Sequence, residues 1–177
     1  MTAEEQKRYL GSILENVAFT DSIINRTLQL NGQQRPQQQE TIAAEQLLHE
    51  AFGKYAALLE DKHIAYKLDG SAEITAERTD LEMILENLVS NAVKYTPENG
   101  TIEAVLDKKC ITLTNTVTER IDIKKLKQPF YRGDAARSNS QGTGLGLALA
   151  DRAAQANGGK LTLSCTETQF RAELKFR

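Results

Sequence analysis

Residues 78–95 read RTDLEMILENLVSNAVKY. Leu81, Ile84, Leu85, Leu88, Val89 and Ala92 recur at helical spacing, which predicts a helix over Arg78–Lys94 with one broad buried face. Thr79 or Asp80 stands where a cap would start it, and Pro97 follows its end. Asn91 follows Asn87 by four residues and Lys94 follows Asn91 by three, so two amides and an ammonium share one face. That set suits a phosphate–magnesium cluster. Magnesium takes hard oxygen ligands, while amide N–H groups and lysine meet phosphate oxygens. Taken alone, the same residues also read as the solvated stripe of an amphipathic helix.

Around this helix the pattern is mixed. Ile42–Glu60 reads as helix, with Leu47, Leu48, Phe52 and Leu58 among its apolar positions. Residues 63–69 alternate as a strand, and residues 72–76 add a short one. Residues 101–106 and 110–115 are two strands joined by Asp107-Lys108-Lys109. Leu145–Ala156 is a helix closed by Asn157-Gly158-Gly159, and residues 160–165 and 169–176 form the last strand pair. Strands that follow one another mainly as hairpins predict an α+β fold. This is a two-layer α/β sandwich, with one mixed or antiparallel sheet under a layer of helices.

Two more segments carry chemistry. In Gln141-Gly142-Thr143-Gly144-Leu145-Gly146-Leu147, alternating glycines run straight into the last helix. Glycine lets backbone approach a ligand, and the free amides of a helix N-terminus attract phosphate. No Gly-Lys-Ser/Thr follows, so it is not a P-loop, and neither a strand before it nor an acidic residue after it fits a dinucleotide fold. Alone, it also reads as a glycine-rich turn before a packed helix. Upstream stands Pro129-Phe130-Tyr131-Arg132-Gly133-Asp134, followed by AARSNSQ. An aromatic pair at one end and glycines at the other give the layout of a lid, fixed at its ends, with Arg132 and Arg137 in reach of phosphates. The plainer alternative is an exposed loop.

The chain's opening is different in kind. Leu10, Leu14, Val17, Ile24 and Leu28 form a heptad seam if Asp21 takes one place in it. The helix they imply is roughly 40 Å long at about 1.5 Å per residue. Its apolar face would meet a second copy or fold back on its own domain. Asn31-Gly32 ends it, and the segment NGQQRPQQQ reads as a linker. The expected division is therefore a helix over 1–31, a linker over 32–38 and a domain over 39–177.

Of the 177 residues, 40% are hydrophobic and 26% charged, with a net charge of −2. That is a globular profile with no pull towards nucleic acid. Cys110 and Cys165 sit in alternating apolar runs and read as buried strand thiols. With no Cys-x-x-Cys and two histidines, a zinc site is not expected. No apolar run approaches the roughly 20 residues of a membrane span. MTAEEQKRYL has no signal-peptide core, so a soluble cytoplasmic chain is expected.

Asparagine helix, FYRGD and GTGLGLALA, in this order, resemble the catalytic ATP-binding domain of sensor histidine kinases. That domain belongs to the superfamily shared with gyrase-type, heat-shock-chaperone and mismatch-repair ATPases. The resemblance covers about residues 39–177 and implies their Bergerat-type ATP-binding fold. Residues 3–30, with EEQKRYLGSILENV, resemble the second helix of the kinase dimerisation and phosphotransfer hairpin.

The resemblance implies roles. Asn87 is the magnesium ligand, with Asn91 near metal and phosphates. Lys94 contacts phosphate and Tyr95 flanks the nucleotide. Phe130 and Tyr131 form the aromatic base of the lid, and Arg132 is a phosphate contact. Gly142, Gly144 and Gly146 form a glycine box, with Thr143 and Leu145 adding contacts. ATP and magnesium are the implied cofactors. The implied partners are the phosphoacceptor hairpin, a second copy through the N-terminal helix, and a response-regulator receiver domain. The acceptor histidine would stand upstream of Met1, in a longer chain usually anchored in the membrane. A non-kinase ATPase would carry glutamate at position 87.

Two departures matter. The family's Asp-x-Gly-x-Gly is replaced by Asn115-Thr116-Val117-Thr118-Glu119. Asn115 then takes the adenine-reading place, with an uncharged acceptor in place of a carboxylate. A degenerate domain that docks without nucleotide is the alternative this segment raises. The second departure is the missing acceptor histidine. His49 opens His-Glu-Ala-Phe but lacks the basic residue and proline that the family motif carries, and reads as a helix-surface histidine.

Overall fold

The computed structural model describes residues 38–131 and 144–177. The expected N-terminal helix and the linker up to residue 37 lie outside the described residues. The described elements run β1 (Glu40–Ala43), α1 (Ala44–Lys54), α2 (Ala56–Asp61), β2 (Ala65–Ala76), α3 (Arg78–Tyr95), β3 (Thr101–Lys108) and β4 (Cys110–Thr116). A 3₁₀ turn at Ile123–Lys125 follows, then α4 (Gly146–Ala156), β5 (Lys160–Cys165) and β6 (Gln169–Lys175).

The six strands form a mixed sheet in the order β1-β2-β3-β4-β6-β5. β3–β4 and β5–β6 are the expected hairpins. β2 and β3 run parallel, with α3 as the crossover between them. β6 lies between β4 and β5 and opposes both, so these two also run parallel, with α4 on the connection. The fold is therefore the expected α+β sandwich with a mixed sheet.

Alternation decides which face is covered. Ile102, Ala104 and Leu106 of β3, and Ile111, Leu113 and Asn115 of β4, are buried, while their neighbours are more exposed. The register places Ala104 opposite Leu113, and Leu113 opposite Ala172 of β6, so one continuous apolar face spans the central strands. α3 covers it with Leu81, Ile84, Leu85, Leu88, Val89, Ala92 and Val93. Each fully buried Leu or Ile contributes roughly 1.5–3 kcal/mol relative to exposure. α1 and α4 flank α3. The buried face of α4 is largely alanine (Ala148, Ala150, Ala153, Ala154), and these small side chains allow the two helices close approach.

Three local expectations are corrected. The run from Ile42 to Glu60 is a strand, a helix and a second short helix, because β1 uses Glu40–Ala43 to pair with Glu73–Ala76. Residues 65–76 are one strand, not two, with β3 on its first part and β1 on its last. Glu77, rather than the expected Thr79 or Asp80, caps α3 by accepting the Asp80 N–H at 2.7 Å.

Candidate functional site

α3 presents Asn87, Asn91 and Lys94, all half-buried, and then the exposed Tyr95. The Asn87 amide is oriented from within its own helix: Nδ2 donates to Met83 O at 2.8 Å. Oδ1 is left facing the start of α4. A Cβ built on Gly146 would lie 2.6 Å from that oxygen, closer than any real Cβ can come. Glycine at 146 is what lets the N-terminus of α4 close on Asn87. Leu145, fully buried at the N-cap, offers no side-chain acceptor to the first-turn amides. The positive end of this helix thus stands beside a hard oxygen, a pairing suited to a polyphosphate carrying a divalent cation.

The ends of the expected lid are joined. Phe130 donates its N–H to Gly144 O at 3.0 Å. Gly144 has φ +69, and a Cβ there would lie 2.7 Å from Tyr131 O and 2.8 Å from the Phe130 carbonyl carbon. Only glycine satisfies both the left-handed backbone and the close approach. Phe130 itself has φ +64 and is 62% exposed, and Tyr131 is half-buried. Arg132, Gly142 and Thr143, and the expected lid between them, lie outside the described residues.

Asn115 belongs to a third element. It ends the buried face of β4 at 5% exposure, opposite Ile102 and Phe170. Its Nδ2 donates to Thr116 O at 3.0 Å, which turns Oδ1 into the acceptor end of the amide. Val117, where a glycine was expected, is buried, and its N–H donates to Thr168 O at 3.0 Å.

Some supporting residues were not read from the sequence. Asn157, 6% exposed, accepts the Glu77 N–H at 2.8 Å and donates to Asp80 Oδ2 at 2.7 Å and Ala153 O at 2.9 Å. It ties the end of α4 to the start of α3. Burial pushes the Asp80 carboxyl above the ordinary range, the Asn157 bond opposes that, and Glu77 adds to the rise. Lys127 donates to Asp151 Oδ1 at 2.6 Å and to Leu161 O, anchoring the segment before Phe130 to α4 and β5. Asn157 was legible as a helix stop, but no local signal marks its ties to Glu77 and Asp80 or those of Lys127, because those partners are 24 to 80 residues away.

Among the described residues no group of three His, Cys, Asp or Glu side chains is placed to hold a metal. A divalent ion at Asn87 would draw its other oxygens from phosphate and water. His49 is an exposed residue of α1. Among the described residues no helix is long and apolar enough to cross a membrane.

The sequence profile described as histidine kinase-, DNA gyrase B- and HSP90-like ATPase matches residues 76–177, a span holding every expected site residue. The chain is 31% identical over 131 residues to the sensor protein CzcS of Cupriavidus metallidurans, covering 69% of this chain and 27% of that one. It is 34% identical over 110 residues to the sensor histidine kinase HprS of Escherichia coli, covering 59% and 24%. It thus spans about a quarter of the length of these curated relatives. In fold it is similar to the histidine kinase AdeS of Acinetobacter baumannii, with a TM-score of 0.72 at 18% identity over 99% of this chain and 85% of that one.

Proposed function

The chain belongs to the histidine kinase-, DNA gyrase B- and HSP90-like ATPase family, as an ATP-binding domain of the sensor histidine kinase kind, and on that premise we propose that it binds Mg-ATP and presents the γ-phosphate to a histidine of a dimerisation hairpin. From there the phosphoryl group passes to an aspartate of a response-regulator receiver domain. The observation that carries this reading is the approach of Gly146 to Asn87 Oδ1, which sets a helix N-terminus against a metal-competent oxygen.

Roles follow from the donors and acceptors. Asn87 Oδ1 is the magnesium ligand, with Asn91 beside it. The ion, when bound, neutralises charge on the phosphates. Lys94 and the first-turn amides of α4 hold phosphate oxygens, with Gly142, Thr143 and Arg132 adding contacts from the lid side. Asn115 Oδ1 accepts a hydrogen bond from the exocyclic amine of adenine. Tyr95, Phe130 and Tyr131 flank the nucleotide. A neutral amide at position 87 cannot take a proton from water, so the phosphoryl group is kept for the histidine. Residues 1–31 are proposed as the second hairpin helix, dimerising through its seam, residues 32–38 as a linker and residues 39–177 as the catalytic domain. Cytoplasmic placement is part of the same proposal.

The test is phosphoryl transfer from ATP labelled on its γ-phosphate to a separately made hairpin carrying the acceptor histidine. Label on the hairpin supports the kinase. Free phosphate with no labelled hairpin supports a hydrolysing ATPase instead. The altered segment Asn115–Glu119, with Val117 buried, favours one other reading, a docking module without nucleotide. Absence of any ATP binding would select it.

A further inference from the structure

The last turn of α3 carries Lys94 and Tyr95, and its backbone is incomplete by itself. Val93 O would ordinarily accept the N–H four residues on, but that residue is Pro97, which has none. Thr96, 1% exposed, closes the helix by donating its N–H to Ala92 O at 3.0 Å and its hydroxyl to the same oxygen at 2.6 Å. The carbonyls beyond are served from another element. Lys62, which caps the end of α2, donates its ammonium to Val93 O at 2.9 Å, to Lys94 O at 3.1 Å and to Thr96 O. The following loop is tied to the same residue, since Asn99 donates its N–H to Lys62 O at 2.9 Å. Burial lowers the pKa of the ammonium, with Glu98 opposing that shift, so this cation has partly left water for the three carbonyls.

We propose that Lys62 is a positioning residue of the nucleotide site, holding the last turn of α3 so that Lys94 and Tyr95 are set in place for the nucleotide. The proposal rests on the ATP-binding reading above. An unserved buried carbonyl is costly, so without the ammonium the turn frays towards water. Lys94 would then have to be ordered by the ligand, and binding would carry that entropy cost. The ammonium also offsets the partial negative charge at the C-terminus of a helix whose last turn faces phosphate.

The test is calorimetric titration of Mg-ATP into the full chain, with thermal unfolding of each variant. Lys62→Met keeps the methylenes and removes the ammonium, and is expected to weaken binding about tenfold at a temperature where the variant is folded. Lys62→Arg restores affinity to within about threefold, since a guanidinium donates to several carbonyls. In a Lys94→Ala background the same Lys62→Met change costs less than about threefold, because the cation of the two residues it positions is gone. Should Lys62→Met melt below the working temperature, Lys62→Gln, which keeps a shorter donor, takes its place. Normal binding by the Lys62 variant, or losses that add fully to those of Lys94→Ala, would overturn the proposal. A wild-type chain that does not bind Mg-ATP is a separate outcome, which overturns the nucleotide reading and this proposal with it.

Discussion

Gly146 stands so close to Asn87 that a single added carbon, 2.6 Å from Oδ1, would displace one or the other. Because that contact joins the asparagine helix to the N-terminus of α4, where the proposed function places the phosphates, Gly146→Ala is expected to act on binding more than on folding. Overpacking of this kind costs about 1–3 kcal/mol, part of which a better helix former recovers. Mg-ATP affinity should fall about tenfold or more, with thermal stability changed by about 1 kcal/mol. Calorimetry and a thermal melt on the same sample check the split.

Gly144→Ala has no soft neighbour to yield. The new Cβ would meet backbone atoms of Phe130 and Tyr131 below 3 Å, at a φ of +69. The 3.0 Å bond from Phe130 N–H to Gly144 O should open. Hydrogen exchange of the Phe130 amide is expected to speed up about tenfold or more, at a cost of about 1–3 kcal/mol in local stability.

Asn157→Ala removes two hydrogen bonds between the start of α3 and the end of α4 and a third within α4, and should cost about 2–4 kcal/mol at pH 7. The pH dependence has a definite sign. The Asp80 carboxyl is raised in the folded protein by burial, so its ionised form opposes folding and that penalty is relieved as pH falls. Asn157 lowers it again, so the variant's Asp80 is raised further still. The gap between variant and wild type should therefore be widest at neutral pH and shrink as the pH falls into the carboxylate range. Urea midpoints along a pH series measure it.

The helix over residues 78–95 was legible because seven buried apolar side chains recur at helical spacing, with Pro97 beyond its end. The strands around Ile102–Leu106 and Ile111–Asn115 were legible for the same reason at period two. β1 was not, because ETIA is four residues of edge strand running directly into a helix, and nothing local separates the two. The parallel placement of β2 beside β3 was not readable either, since it depends on where α3 returns the chain. At the site, Asn87 and Gly146 were named from motif order, but their contact belongs to tertiary structure. Lys62 had one faint signal, a proline four residues after Val93, which leaves a carbonyl in need of an outside donor.

Asn115→Asp tests whether this site is built around asparagine. The amide donates to Thr116 O at 3.0 Å, and a carboxylate would set two acceptors against each other at a position 5% exposed. Unliganded, the variant should be less stable by about 1–3 kcal/mol. Mg-ATP should narrow the gap, because an adenine amine would supply a donor. Thermal melts with and without Mg-ATP read both effects.

The measurement that bears most directly on the central claim is calorimetric titration of ATP, with and without magnesium, into the full chain and into Asn87→Ala. The account predicts magnesium-dependent binding at micromolar to sub-millimolar strength, weakened about tenfold or more by the substitution, or about 1.4 kcal/mol. Binding that ignores both magnesium and Asn87, or no binding at millimolar ATP, would contradict it.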